Sequence, residues 1–472
     1  FGDAAGITTT QMQTQSTFTS AGWDFNTIWV IGNANNSFPQ LKTTETPLGE
    51  GTVANPYKIH TLDNLNWVSQ NSTSWDKHFV QTANIDASET STWNSGAGWA
   101  PIGNAGVSFS GNYDGQNHII SNLFINRPLV DNVGLLGITD GCAISNTHLD
   151  NANVTGRHAT GAVVGVLSNW SNLTGCSSSG TVNGNINVGG LVGANSDANI
   201  YNSYSAANVT AVLNAGGLVG GHSNSVESGP DGGIIMNCYT TGSVLATGTS
   251  SRAGGITSIT RKSYIKNSYA TGTINSTGAK GGIVGVESYA GYTDNTNFWD
   301  TQTTGLSTSG GQAVGKTTEE MKAYETFYNA LWDFKGETAN GVDDVRNIGN
   351  STNDGYPYFN WTSPSDLAPQ FVTFSDIADK TYGDPSFELS ASASSGLAVS
   401  FSSSDENVVS ISGNTATIVG AGSVAIYANQ AGNENYSPAQ TKTKQITVAK
   451  APLTIAAEDK SKSYDGIAFT AF

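Results

Sequence analysis

The sequence predicts an all-β chain, a right-handed parallel β-solenoid followed by a β-sandwich, set within a tandem-repeat array. Three observations point there. Charged residues fill only 12% of the 472 positions, while Gly fills 56 and Asn 46. That composition suits turns and short strands and leaves helices short of the long polar side chains their wet faces need. A Gly-rich aliphatic phrase recurs, mostly every 27 or 28 residues, and two longer self-similarities recur at offsets of 309 and 82. At ~150 residues per domain, the length fits two or three modules.

Residues 1–45 read as the C-terminal tail of a preceding solenoid module. Thr8-Thr9-x-x-Met12, Phe18 and Trp23-Asp24-Phe25 recur, each 309 positions on, as Thr317-Thr318-x-x-Met321, Phe327 and Trp332-Asp333-Phe334. Residues 46–130 read as the solenoid entrance and cap, with a short helix over 61–70 covering the open end of the first coil. Residues 131–300 carry the short repeat itself. Its copies are Val133-Gly-Leu-Leu-Gly137, Gly161-Ala-Val-Val-Gly165, Gly189-Gly-Leu-Val-Gly193, Gly216-Gly-Leu-Val-Gly220, Gly254-Gly-Ile-Thr-Ser258 and Gly281-Gly-Ile-Val-Gly285. An Asn-x-aromatic phrase such as Asn202-Ser-Tyr204 follows, and then a Thr/Val-rich one such as Asn208-Val-Thr210. Three short strands with Gly or Asn corners make one coil. Leu191, Leu218, Ile256 and Ile283 should stack in the core, and the single 38-residue gap should be taken up by a bulging loop around Ser223–Gly233. The residues before the aromatic, Thr147, Cys176, Ser203, Cys238 and Ser268, form an inward ladder of small side chains, so the cysteines read as packing. Cys142 lies elsewhere, and no disulfide is expected.

Residues 301–363 form the closing segment. Residues 367–449 read as an Ig-like β-sandwich, because strands such as Ala416-Thr-Ile-Val419 and Val424-Ala-Ile-Tyr427 lie in a unit of ~82 residues. Residues 450–472 read as the start of the next copy, since Lys380-Thr-Tyr382 and Phe387 recur as Lys462-Ser-Tyr464 and Phe469.

The short phrase resembles the GLUG motif, named for its Gly-Leu-x-Gly pattern and found in large bacterial surface proteins, including the β-helical part of some immunoglobulin A peptidases. The resemblance covers residues 133 to about 300. The stretch ahead of it, with Asn55-Pro-Tyr-Lys-Ile59, Trp99-Ala-Pro-Ile-Gly103 and Gly111-Asn-Tyr-Asp-Gly115, looks like the usual lead-in to such a solenoid. The sandwich resembles bacterial Ig-like repeats of the group 2 and MBG kinds through Ser402-Ser-Ser-Asp405, Val408-Val-Ser-Ile411, Gly420-Ala-Gly-Ser-Val424 and Gly432-Asn-Glu-Asn-Tyr436.

The chemistry of function is thin. A net charge of −17 leaves no basic stripe for nucleic acid or an anionic membrane, and no run of ~18 apolar residues offers direct membrane insertion. Any export signal is expected outside this piece, which opens at Phe1 with no leader. Gly310-x-x-x-x-Gly315-Lys316-Thr317 matches the P-loop pattern, but its duplicate places Phe1 at the first Gly and Ile7 at the Lys, which points to a closing turn. None of the six His is followed by Glu, so metalloprotease chemistry is not expected, and the Gly-x-Ser-x-Gly elbow is missing. The solenoid acids Asp140, Asp150, Asp197, Glu227, Asp231, Glu287 and Asp294 fall at registers that do not repeat. Trp67, Trp75, Trp93 and Trp99, near Tyr57 and Phe79, are the candidates for stacking on sugar rings; the competing reading is that they plug the solenoid end. Acidic turns at Asp294–Asp300 and Ser404-Asp405-Glu406 are candidates for calcium, though neither has the regular oxygen spacing of a calcium loop, and no other cofactor is called for.

The expectation is therefore a non-catalytic section of an exported cell-surface adhesin or stalk. The resemblance implies a likeness to the giant adhesins of gliding bacteria that use type IX secretion. The expected partners are other repeats of the same long chain, glycans or external surfaces, and secretion and anchoring machinery. A carbohydrate-active β-helix enzyme and a purely structural spacer are the alternatives.

Overall fold

The computed structural model describes residues 8–23, 29–30, 38–41, 46–223, 233–288, 292–336, 343–349, 352–362 and 367–453, together with Ile455, Ala456, Ser463 and Gly466. The chain divides into two units: residues 1–322 with 329–332, and residues 323–328 with 333–472. The expected repeat of Lys380–Phe387 at 462–469 lies almost wholly outside the described residues.

The first unit is a parallel β-solenoid. In one coil, strands Ile186–Gly189, Val192–Ser196, Asn199–Tyr201, Tyr204–Ser205 and Asn208–Ala211 pair in parallel with their counterparts in the coils on both sides. The sequence suggested three strands per coil; the structure has five, in four sheets, because the Gly-rich phrase and the Asn positions break the chain into shorter pieces. Leu191 N–H donates to the Leu218 carbonyl, Leu218 to Ile256 and Ile256 to Ile283, and all four side chains are buried, as the period required.

Each glycine of the phrase has its own steric reason. A Cβ on Gly189 would lie 2.5 Å from the Gly220 nitrogen in the next coil, and a Cβ on Gly220 would overlap the Asn187 carbonyl carbon. Gly161 with Gly193 and Gly254 with Gly285 repeat that pairing, at 2.6 and 2.7 Å. The middle glycine faces across the interior: Gly217 lies against Thr240, Gly255 against Ala270, and Gly282 against the flat indole of Trp299. The copy that ends in Ser258 keeps its side chain buried and donates its hydroxyl to the Gly220 carbonyl.

The Asn corners solve a different problem. Asn146, Asn202, Asn237 and Asn267 take the left-handed conformation at one corner, and Gly175 takes it in the coil between the first two. Asn tolerates that region better than most residues, and its side chain adds a local hydrogen bond. Here the bond runs between coils, with Asn237 Nδ2 donating to Asn202 Oδ1 at 3.1 Å.

The long repeat contains two insertions, whereas the sequence reading placed it in one loop. Ser223 to Ile235 takes twelve positions where Ser196 to Ile200 takes four, and Ala246 to Arg252 takes six where Ala211 to Asn214 takes three. Residues 224–232 of the larger insertion lie outside the described residues.

Both ends of the solenoid are covered. A helix at Leu62–Gln70 opens with a capping box formed by Thr61 and Asn64 and buries Leu65 and Val68 in the solenoid core. At the other end Trp299 is buried, its Nε1 donating to the Leu306 carbonyl at 2.9 Å. The short helices Thr318–Met321 and Tyr324–Tyr328 stand 309 positions from Thr9–Met12 and Gln15–Thr19, so the duplication read from the sequence is also a duplication of structure.

In the second unit, strands between Val372 and Ala449 form curled antiparallel-rich sheets of four, three and two strands. They enclose one core that includes Val372, Leu389, Val409, Val424, Ile426 and Ile446.

The glycine pairs make a direct prediction. Gly220→Ala should lower solenoid stability by about 2–4 kcal/mol, because its Cβ meets backbone that a packed ladder cannot move cheaply. Thermal and urea melts of the purified variant should show the loss; a melt unchanged from the parent would contradict this steric reading.

Candidate functional site

The four tryptophans at the entrance are pieces of the cap. Trp75, Trp93 and Trp99 are buried and Trp67 is half-buried against the core. Trp75 Nε1 donates to the Val68 carbonyl at 2.7 Å and Trp99 Nε1 to the Leu135 carbonyl at 3.1 Å, while Trp93 and Trp99 stack at 6.2 Å. Tyr57 fills the space between Trp67 and Phe79. Burial removes the ring faces of three of these candidates from solvent. An open coil end exposes apolar surface, and these large side chains cover it.

The P-loop look-alike is built the wrong way for phosphate. Val314–Lys316 is itself a strand, with Gly315 paired to Trp299 and Lys316 to Asp300. Amides that would have to cradle a phosphate are engaged otherwise: Val314 N–H donates to the Asn297 carbonyl, Thr317 N–H to Glu320 and Thr318 N–H to Gln302. Lys316 Nζ lies 3.1 Å from Glu320, and Thr317 caps the four-residue helix Thr318–Met321.

The carboxylates serve local structure. Asp140 accepts from Asn169 at 2.8 Å and Asp150 from Ser179 at 2.6 Å, both one coil away. Glu287 accepts from the Thr293 amide. In the turns considered for calcium, Asp294 accepts from the Thr296 amide and the Asn297 side chain, Asp300 caps the helix Thr301–Thr304 and is buried, and Asp405 accepts from Asn407. Glu227 and Asp231 lie outside the described residues. Among the described residues no group of three or more His, Cys, Asp or Glu is placed to hold a metal ion.

The small-residue ladder is present as expected. Thr147, Cys176, Ser203, Cys238 and Ser268 are all buried. Ser203 Oγ accepts from the Cys176 amide at 3.0 Å and Ser268 Oγ from the Cys238 amide at 3.1 Å. All three cysteines are buried and lie outside any disulfide. Burial pushes the Cys176 thiol up to about 12 and raises that of Cys142, so the reactive thiolate is scarce in both.

An outward column begins with polar rungs and ends with aromatic ones, a pattern that residue types alone did not single out. His148 bonds Ser177 at 2.9 Å and Asn117 at 3.2 Å. Tyr204, Tyr239 and Tyr269 follow in register as nearly parallel rings 4.7 and 5.0 Å apart, and Phe298 pairs with Tyr269. A shorter stack joins Tyr264 and Tyr292 at 4.6 Å. Tyr292 and Trp170 are among the exposed aromatics.

Among the described residues no helix is long and apolar enough to cross a membrane.

Comparison with known proteins agrees with this coil. Residues 184–210, one turn of the solenoid, match the GLUG motif. The chain is 41% identical over 165 residues to halomucin of Haloquadratum walsbyi, an alignment that covers 34% of this chain and 2% of halomucin. It is 33% identical over 144 residues to a Gly-rich protein of Evansella cellulosilytica whose name assigns it provisionally to the membrane, covering 30% of this chain and 16% of that protein.

Two outcomes follow. A thiol reagent at pH 8 should leave all three cysteines of the native protein essentially unlabelled over minutes and label them fully in denaturant; rapid native labelling would show that the ladder is open. Burial pushes His148 and His222 down from 6.5 to about 4, so the unfolded chain takes up their protons first. Stability should therefore be fully present above pH 6.5 and fall progressively towards pH 4. Urea midpoints across that range should flatten in the His148→Gln variant, and an unchanged slope would contradict the assignment.

Proposed function

We propose that the chain is a section of a repetitive, exported cell-surface protein in which the capped solenoid is a non-catalytic adhesive or spacer module. One observation carries this reading. Among the described residues, those that resembled catalytic or ligand-binding groups join coils, hold turns, cap short helices or close the solenoid ends, which is what a stacked repeat needs. The likeness to halomucin and to the Gly-rich protein supports a surface or membrane-associated setting. A bacterial host, type IX export, Ig-like repeats of the MBG kind and attachment through glycans are the finer parts of the proposal, and they rest on the repeat resemblance. With Trp75, Trp93 and Trp99 buried and Trp67 half-buried, a glycan contact falls to the exposed rings of Trp170 and Tyr292.

Antibody against the solenoid should label intact cells that produce the protein. Glycan-array binding by the purified chain should drop at least fivefold in the Trp170→Ala, Tyr292→Ala double variant. Labelling only after lysis would sink the surface reading. Surface labelling with no glycan bound would leave a spacer and remove the adhesive part.

A further inference from the structure

We propose that Tyr264 and Tyr292 form an oxidative modification site, where the two phenol rings couple into a dityrosine that staples neighbouring coils. The two residues are directly paired in the parallel strands Tyr264–Lys266 and Tyr292–Thr293, which end the nine-stranded sheet. Their rings stack with centroids 4.6 Å apart and planes 9° from parallel. Backbone bonds fix that spacing. The Tyr264 amide donates to the Gly233 carbonyl at 3.1 Å and the Tyr292 amide to the Ser263 carbonyl at 3.0 Å, while the next residues, Ile265 and Thr293, pair and are buried. The reacting groups are therefore brought together by the fold before any reaction begins.

Exposure separates this pair from the other stacked tyrosines. Tyr292 is 51% exposed and Tyr264 is half-buried, so an oxidant in solution reaches them. In the Tyr204, Tyr239 and Tyr269 column every pair includes a buried ring, Tyr239 being 4% and Tyr269 0% exposed. Coupling also requires the rings to leave the stack and join through the carbons beside their hydroxyls, a swing that a close-packed interior forbids. Ile234 stands before Tyr264 in the same register, so the described rungs here offer two phenols and no longer chain. The oxidant is hydrogen peroxide acting through a haem peroxidase. Each phenol gives up one electron and its hydroxyl proton, leaving a radical shared between the oxygen and the ortho carbons. One bond forms between an ortho carbon of each ring; the two ortho C–H bonds then break and their protons return to the phenolic oxygens. The net two electrons and two protons pass to the peroxide, which is reduced to water. The new bond closes the loop from 264 to 292 and restricts the unfolded chain as a disulfide does. The inference rests on ring geometry and holds whether or not the chain binds glycans.

Treating the purified full chain with hydrogen peroxide and a haem peroxidase should give blue dityrosine fluorescence in the monomer. A digest should contain the peptides carrying Tyr264 and Tyr292 joined with the loss of two hydrogens, in a yield that dilution of the protein leaves unchanged. Tyr292→Phe, which keeps the ring and lacks the hydroxyl, should melt like the parent before oxidation and lose the joined peptides, whereas Tyr239→Phe should keep them. After oxidation the parent should melt about 5 °C above Tyr292→Phe. A monomer without the 264–292 cross-link, whichever other tyrosines react, would overturn the proposal. An oxidised parent that carries the cross-link but melts no higher than oxidised Tyr292→Phe would overturn its role as a staple.

Discussion

The close approach of one coil's backbone to the next at the Gly-rich corner is the constraint on which the solenoid depends. Parallel strands sit ~4.8 Å apart, so a turn that folds towards its neighbour leaves no room for a Cβ. Gly189 against Gly220 is the repeated form of that contact. Once the corner is fixed, register follows, and Leu191, Leu218, Ile256 and Ile283 fall into one buried column. A slip of one residue would turn those side chains outward and drive the glycine positions into backbone, so sterics and burial select the same register.

Polar groups inside such a structure need partners, and for several of them the adjacent coil supplies one. Cys176 finds Ser203, Cys238 finds Ser268, and Asn202 finds Asn237. Buried polar groups satisfied in this way favour a single stacking arrangement and leave few donors or acceptors for a ligand. The same economy explains why motifs that look chemical in the linear sequence lose that character in the fold. Gly315 and Lys316 become a sheet edge, and Asp300 becomes a helix cap.

Much of the fold was legible because repetition turns local preference into a periodic signal. The Gly-x-aliphatic spacing located the core column, the residue before each aromatic located the small-residue ladder, and the 309-residue offset matched two pairs of short helices. The five-strand coil was not legible, since the sequence shows where corners fall but not whether the chain between them pairs. The insertion at 246–252 was hidden because only three residues were added, within the tolerance of a single bulge. The entrance tryptophans were left between two readings because residue type alone does not tell a plug from a platform. In the fold the rings of Trp75, Trp93 and Trp99 are buried and Trp67 is half-buried, through contacts such as Trp75 with Val68 and Trp99 with Leu135 that the sequence does not display. The Asn-x-aromatic phrase marked the aromatic rungs but not that their rings stack, because stacking depends on how successive coils are placed.

Amide hydrogen exchange on the full chain tests the central claim most directly. If the glycine corners lock the coils together, the amides of Leu191, Leu218 and Ile256, which bond the next coil's carbonyls, should be among the slowest to exchange. They should also lose protection together as denaturant is raised, as expected for neighbouring repeats coupled through their interfaces. Rapid exchange of these amides while the second unit stays protected, or independent opening of single coils, would contradict the account.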